Sequence, residues 1–119
     1  MPKRRNQPEE LFQRTVVEWL GWQYPMLMYF SVPNGGRRSK AESGILKATG
    51  VKAGVADLVF VWSDGAGARV GFVELKAPKG TQSDKQKIFE QCCDAISAPY
   101  IVAKTIEEID VALNKWGAV

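Results

Sequence analysis

Residues 57–76 read DLVFVWSDGAGARVGFVELK, and the pattern within them decides the architecture. Two apolar runs, Leu58-Val59-Phe60-Val61-Trp62 and Arg69 to Leu75, flank the turn formers Ser63-Asp64-Gly65-Ala66-Gly67-Ala68. Short runs rich in β-branched and aromatic residues, joined by a Gly-rich turn, make a β-hairpin. Asp57 and Glu74 are equidistant from the centre of that turn. With no bulge they face each other across the strands, their Cβ atoms about 5 Å apart. Strand alternation puts Lys76 on the same face as Glu74. Two carboxylates and an ammonium on an otherwise apolar hairpin are costly unless compensated, and a divalent cation compensates them.

The 119 residues suffice for one domain, spanning 1–119, with residues 1–7 expected to form a flexible basic tail. No apolar run approaches the length of a membrane span, and the basic start, MPKRRN, lacks the apolar core of a signal peptide. Cys92 and Cys93 are adjacent, in a segment that reads as helix, where a mutual disulfide has poor geometry; a reducing, intracellular setting is expected. Histidine is absent, which removes His-based triads and most zinc sites, so any metal must be a hard ion held by oxygen. The net charge of +3 is unevenly spread. Residues 1–52 carry nine Lys and Arg against four acids, and residues 53–119 carry seven against nine. The first half suits a polyanion and the second a cation; the plain alternative is solvated surface.

Working outward from the hairpin, Pro8 suits the first turn of a helix whose apolar stripe is Phe12, Val16, Trp19 and Leu20, ended by Gly21. Met26 to Phe30 reads as a strand and Val32 to Arg38 as a loop. Ser39-Lys40-Ala41-Glu42 is a capping box opening a short helix that Gly50 closes. Ser83-Asp84-Lys85-Gln86 is a second box, and its helix is expected to turn Ile88, Phe89, Cys92 and Ile96 inward. Pro99 to Ala103 reads as a strand, and Thr105 caps a last helix ending near Trp116-Gly117. The order predicts an α/β domain with a mixed sheet between helices, its last strand parallel to the hairpin through a helical crossover.

The hairpin patch suits phosphodiester cleavage. Asp57, Glu74 and the Leu75 carbonyl would hold Mg²⁺ or Mn²⁺, and Lys76 would orient a water, or help deprotonate it, and offset phosphate charge. The alternative is a cross-strand ion pair on a solvated face, against which stand the apolar residues on both faces. Glu9 and Gln13 share the helix side of Val16 and Leu20, so Glu9 is a candidate further ligand, with Glu10 the fallback; either acid could simply complement the helix dipole. Gln86 could position a water or touch DNA, although capping already explains it. Gly35 and Gly36, with Arg37 and Arg38 just before a helix N-terminus, favour an anion, and Lys40, Lys47 and Lys52 extend the positive surface. Gly50 and Gly54 would let the backbone approach a bound strand, unless Gly50 is only a C-cap. Such a surface binds backbone by charge and reads no bases.

Glu9-x-x-x-Gln13, Gly50-x-x-x-Gly54-x-x-Asp57-Leu58, Glu74-Leu75-Lys76 and Gln86-Lys87 together resemble the VRR-NUC family of PD-(D/E)xK nucleases, over about Glu9 to Trp116. Ala56 stands where the superfamily name has a proline that carries no ligand. The resemblance implies a restriction-endonuclease-like fold, metal binding at Asp57 and Glu74, an assisting role for Lys76, and Glu9 as the upstream acid. Small stand-alone members resemble virus or prophage products that act as homodimers on branched DNA. That implies four-way-junction cleavage in a bacterial host's cytoplasm, leaving 5′-phosphate and 3′-hydroxyl ends, with no membrane and no small-molecule cofactor. Other readings are a non-catalytic nucleic-acid-binding module, or an enzyme acting on RNA or single strands.

Overall fold

The computed structural model describes residues 7–33 and 39–119. Eight elements follow in order: α1 (Gln7–Gln23), β1 (Met28–Ser31), α2 (Lys40–Ala48), β2 (Leu58–Ser63), β3 (Ala68–Leu75), α3 (Asp84–Ala95), β4 (Tyr100–Ala103) and α4 (Ile106–Trp116). They form the expected α/β arrangement, a mixed four-stranded sheet in the order β1-β2-β3-β4 flanked by helices. β1 and β3 each pair antiparallel with β2, and β4 returns through α3 to lie parallel to β3. No helix among the described residues is long and apolar enough to cross a membrane.

The hairpin has the register its symmetry predicts, with Leu58 opposite Val73 and Ser63 opposite Ala68, and no bulge. Its turn is self-contained: Asp64 Oδ1 accepts the N–H groups of Ala66 and Gly67 at 2.8 and 3.0 Å, and Asp64 N–H donates to the Gly67 carbonyl at 3.1 Å.

One sheet face carries Leu58, Phe60, Val73 and Leu75, which pack with Val16 and Leu20 of α1 and Ile109 and Leu113 of α4 into the main core. The opposite face carries Phe72, whose ring lies edge-on to Phe89 of α3, centroids 5.1 Å apart. Most of the tryptophans pack within this fold rather than on open surface. Trp19, Tyr24, Trp62 and Trp116 pack against the core, and Trp62 stacks on Trp116 at 5.7 Å; Trp22 alone among the tryptophans stands 83% exposed.

Several boundaries depart from the sequence reading. The helix already includes Gln7, and it does not end at Gly21 but continues to Gln23. The Tyr24 N–H still bonds the Leu20 carbonyl, and the Tyr24 hydroxyl donates to Asp110 Oδ1 at 2.6 Å, so contact with α4 carries the helix past its glycine until Pro25 stops it. Met26 lies in the turn closed by Leu27 N–H on the Tyr24 carbonyl, which delays β1 to Met28. In α3 the inward stripe is Gln86, Phe89 and Cys93, not Ile88, Cys92 and Ile96. Ile88 and Ile96 are 58% and 73% exposed and Cys92 is exposed. Phe89, wedged between Phe72 and Tyr100, chooses that face.

Gly71 makes room for the tryptophan stack: a Cβ there would lie 2.5 and 2.7 Å from Trp116 ring carbons. Gly71→Ala is therefore expected to cost about 1–3 kcal/mol and to alter the near-UV circular dichroism of the stack. Gly21→Ala, in a helix with open space around it, should gain about 0.5–1 kcal/mol. Urea unfolding of the two variants checks both signs.

Candidate active site

Where β2 begins and β3 ends, the strands leave three charged side chains under cover. Asp57 is 8% exposed, Glu74 2% and Lys76 8%. Asp57 immediately precedes the first paired residue of β2, so the register sets it opposite Glu74. Its Oδ2 accepts the Leu75 N–H at 2.8 Å, and its own carbonyl accepts the Val32 N–H at 3.0 Å. A strand residue turns its N–H and C=O to the same edge, so the Leu75 carbonyl is also directed to the Asp57 side.

Glu74 Oε2 receives two donors, Gln86 Nε2 at 2.8 Å and Lys76 Nζ at 3.5 Å. Glu74 Oε1 is buried and has no hydrogen-bond partner among the described residues. Burial pushes the Glu74 carboxyl up to about 8, the neighbouring Asp57 charge adds to the rise, and Lys76 partly offsets it. A buried carboxylate oxygen with nothing to bind is expensive. Paired carboxylates with a carbonyl on their edge make a hard-oxygen donor set, and the orphaned Oε1 shows that it is short of a positive partner. Mg²⁺ or Mn²⁺ fits such a set.

The structure separates the two upstream acids. Glu10 points outward, 3.4 Å from Arg14. Glu9 is half-buried, and its Oε1 abuts the turn after Lys76, 3.2 Å from where a Cβ on Gly80 would lie. Among the described residues, however, no three of His, Cys, Asp and Glu gather into a group able to hold a metal. The register gathers the two hairpin carboxylates, and Glu9 is set against the Ala77–Gly80 turn that follows Lys76.

Gln86 makes the expected cap and, beyond it, a bond to Glu74 that the sequence did not announce. Its Oε1 accepts the Ser83 N–H at 2.8 Å, completing the capping box, while Nε2 reaches Glu74. Gly54 also has a different role from the one expected. At φ +84°, a Cβ there would lie 2.5 Å from the Lys85 carbonyl, so its close approach is to this chain's own helix α3. Gly50, at φ +101° with open space around it, is the left-handed residue that follows Thr49, the C-cap of α2, and ends the helix. Lys40 and Lys47 lie on α2 and Lys52 beyond it, all exposed; Gly35, Gly36, Arg37 and Arg38 lie outside the described residues.

Lys104 was not foreseen. Its Nζ donates to the Pro78 carbonyl at 2.8 Å, fastening the turn that Glu9 touches. The contact joins positions far apart in the chain, and no local pattern marks it. The two cysteines form no disulfide, and burial pushes the Cys93 thiol up to about 11, the direction of an inert side chain.

No family model matches the chain, and no curated protein does. Among solved structures it is similar to one described as a "VRR_NUC domain protein", with a TM-score of 0.70 over 93% of this chain and 88% of that one. The fold is shared at 19% sequence identity, and the neighbour bears the name of the family that the motifs resemble.

Glu74 also sets a pH dependence. Its carboxyl is near 4.5 in the unfolded chain and about 8 in the folded one, so between those values the folded state holds more protons. The stability tied to this group is complete below the lower value and lost as pH rises through the upper. In EDTA, the urea midpoint should fall between pH 5 and 8.5, and Glu74→Gln should flatten that slope. An equal slope in the variant would assign it elsewhere. Gly54→Ala, strained in φ and clashing with α3, should lose about 2 kcal/mol or more on the same assay.

Proposed function

We propose that the chain is a VRR-NUC nuclease that hydrolyses DNA phosphodiester bonds with Mg²⁺ or Mn²⁺. The observation that carries this reading is the buried Asp57–Glu74–Lys76 patch with its orphaned Glu74 oxygen, in a fold shared with a VRR_NUC domain protein. Asp57, Glu74 and the Leu75 carbonyl would hold the ion. When bound, it supplies charge neutralisation at the scissile phosphate and a lowered pKa for a bound water.

The remaining work falls to the chain's own groups. The Leu75 N–H fixes Asp57, and Gln86 and Lys76 fix Glu74. Lys76, its ammonium 3.5 Å from Glu74 and its side chain 10% exposed, is confined where it can orient the attacking water and meet charge on a phosphate oxygen. The DNA backbone would be drawn by Lys40, Lys47 and Lys52 together with Gly35, Gly36, Arg37 and Arg38. Such binding depends steeply on salt.

The preferred substrate in this reading is branched DNA, cut by a homodimer whose two sites meet symmetric strands. Its support in the molecule is unclaimed apolar surface. α2 buries none of its residues, although a helix of nine residues has little stability alone, and Ile45, Met28 and Phe30 are exposed. A competing reading takes the Lys76–Glu74 contact as a structural ion pair in a non-catalytic binding module.

Labelled four-way junction, splayed duplex, linear duplex and matched RNA, each with and without Mn²⁺ or Mg²⁺, separate these readings. Metal-dependent paired nicks in the junction are expected. Glu74→Gln and Lys76→Ala should lower the rate by about 10² or more while the gel shift persists. Light scattering should give twice the chain mass. Intact substrates with a retained, metal-independent shift would replace the nuclease with the binding module.

A further inference from the structure

Both ends of the Gln86 amide are committed. Oε1 faces the Ser83 backbone N–H and Nε2 faces Glu74 Oε2, each at 2.8 Å. A backbone N–H can only donate, so the amide atom beside it must be the oxygen. The amide group is thereby obliged to turn its NH₂ to Glu74. The Ser83 hydroxyl acts separately, accepting the Gln86 N–H at 3.2 Å to start the helix. With Lys76 also on Oε2, both donors occupy one oxygen of Glu74 and leave Oε1 bare. The same turn of α3 is pressed against Gly54, where an added Cβ would lie 2.5 Å from the Lys85 carbonyl and 2.9 Å from Gln86 N. Asp57 follows three residues after Gly54.

We propose that Ser83 and Gly54 are positioning residues: the Ser83 N–H, through Gln86, holds Glu74 with Oε1 turned toward a bound cation, and Gly54 sets the spacing between α3 and Asp57. The inference rests on the nuclease reading above and deepens it. Position 83 then matters to the site through its backbone N–H, and the capping box is part of the carboxylate's support.

Proline separates these roles. Ser83 has φ −73°, within proline's range, so Ser83→Pro removes the N–H without requiring a new backbone shape. Ser83→Gly removes the hydroxyl and keeps the N–H. Gln86→Glu keeps an acceptor for Ser83 and sets an oxygen, in place of the NH₂ donor, against Glu74. The readouts are the Mn²⁺ dissociation constant from the electron paramagnetic resonance of free Mn²⁺, kcat and KM on cleaved DNA, and the Gln86 side-chain NH₂ signals of the metal-free protein. Relative to Ser83→Gly, Ser83→Pro should weaken Mn²⁺ binding about tenfold or more and lower kcat with the KM for DNA unchanged. Its Gln86 NH₂ signals should move to the region of solvated glutamines, and Gln86→Glu should match its loss of Mn²⁺ affinity. Equal Mn²⁺ affinity in Ser83→Pro and Ser83→Gly, with Gln86→Glu at the wild-type value, overturns the proposal. Should Ser83→Pro lack a cooperative thermal transition, Gln86→Glu against wild type decides by the same criterion. A wild-type protein that binds no Mn²⁺ and cuts nothing, while its NH₂ signals still respond to Ser83→Pro, would end the nuclease reading and leave the positioning of Glu74 standing.

Discussion

The burial of Glu74 opposite Asp57 is the constraint around which the rest of the molecule is arranged. Two carboxylates at this depth repel, and each must shed water to be there. Among the described residues an ammonium, a backbone N–H and a side-chain amide answer them, and Glu74 Oε1 has no hydrogen-bond partner there. Two of those groups come from the end of β3 and the third from α3. Lys76 comes from the end of β3, the Leu75 N–H from the strand itself, and Gln86 from the first turn of α3. The two faces of the sheet divide the labour: α1 and α4 cover the apolar side, and α3 covers the side with the charges. A core of this kind tolerates a costly patch because the other face carries the burial energy of Phe60, Leu58, Val73 and Leu75.

Much of this was legible because it is local or symmetric. Two apolar runs around one turn leave the hairpin a single register that keeps its faces intact, and that register alone opposes Asp57 and Glu74. The capping box at Ser83, the N-cap at Ser39 (where Ser39 accepts the Glu42 N–H), and the crossover that makes β4 parallel follow from spacing and chain connectivity. What could not be read was decided by distant partners. Ile88, Cys92 and Ile96 recur at helical spacing as convincingly as Gln86, Phe89 and Cys93, and only Phe72 and Tyr100 across the sheet choose between the stripes. Gly21 would end a solitary helix, but the Tyr24–Asp110 contact carries α1 past it. Gly54 looked like room for a ligand and proved to be room for α3.

The upstream acid shows the same limit from another side. Helical phase placed Glu9 on the inward side and Glu10 away from it, and the structure agrees. Phase alone says nothing of depth along the axis, and it gave no sign that Glu9 Oε1 would lie against the turn beyond Lys76. Lys104 fastens that turn from the other direction, so the segment leaving the site is held between a helix of the N-terminal half and a lysine after β4.

The hairpin turn has a use that its distance from the carboxylates confers. Asp64 closes its own loop with the Ala66 and Gly67 N–H groups, so the turn takes its shape from local bonds alone. Ser63 and Ala68 stand six residues from Asp57 and Glu74 along their strands, about 20 Å of extended chain. Foreign sequence spliced between Gly65 and Gly67 would meet solvent, and the ladder would absorb the disturbance before it reached the charges. The molecule thus carries a port for epitopes or fluorescent tags at the far end of the very hairpin that forms its chemistry.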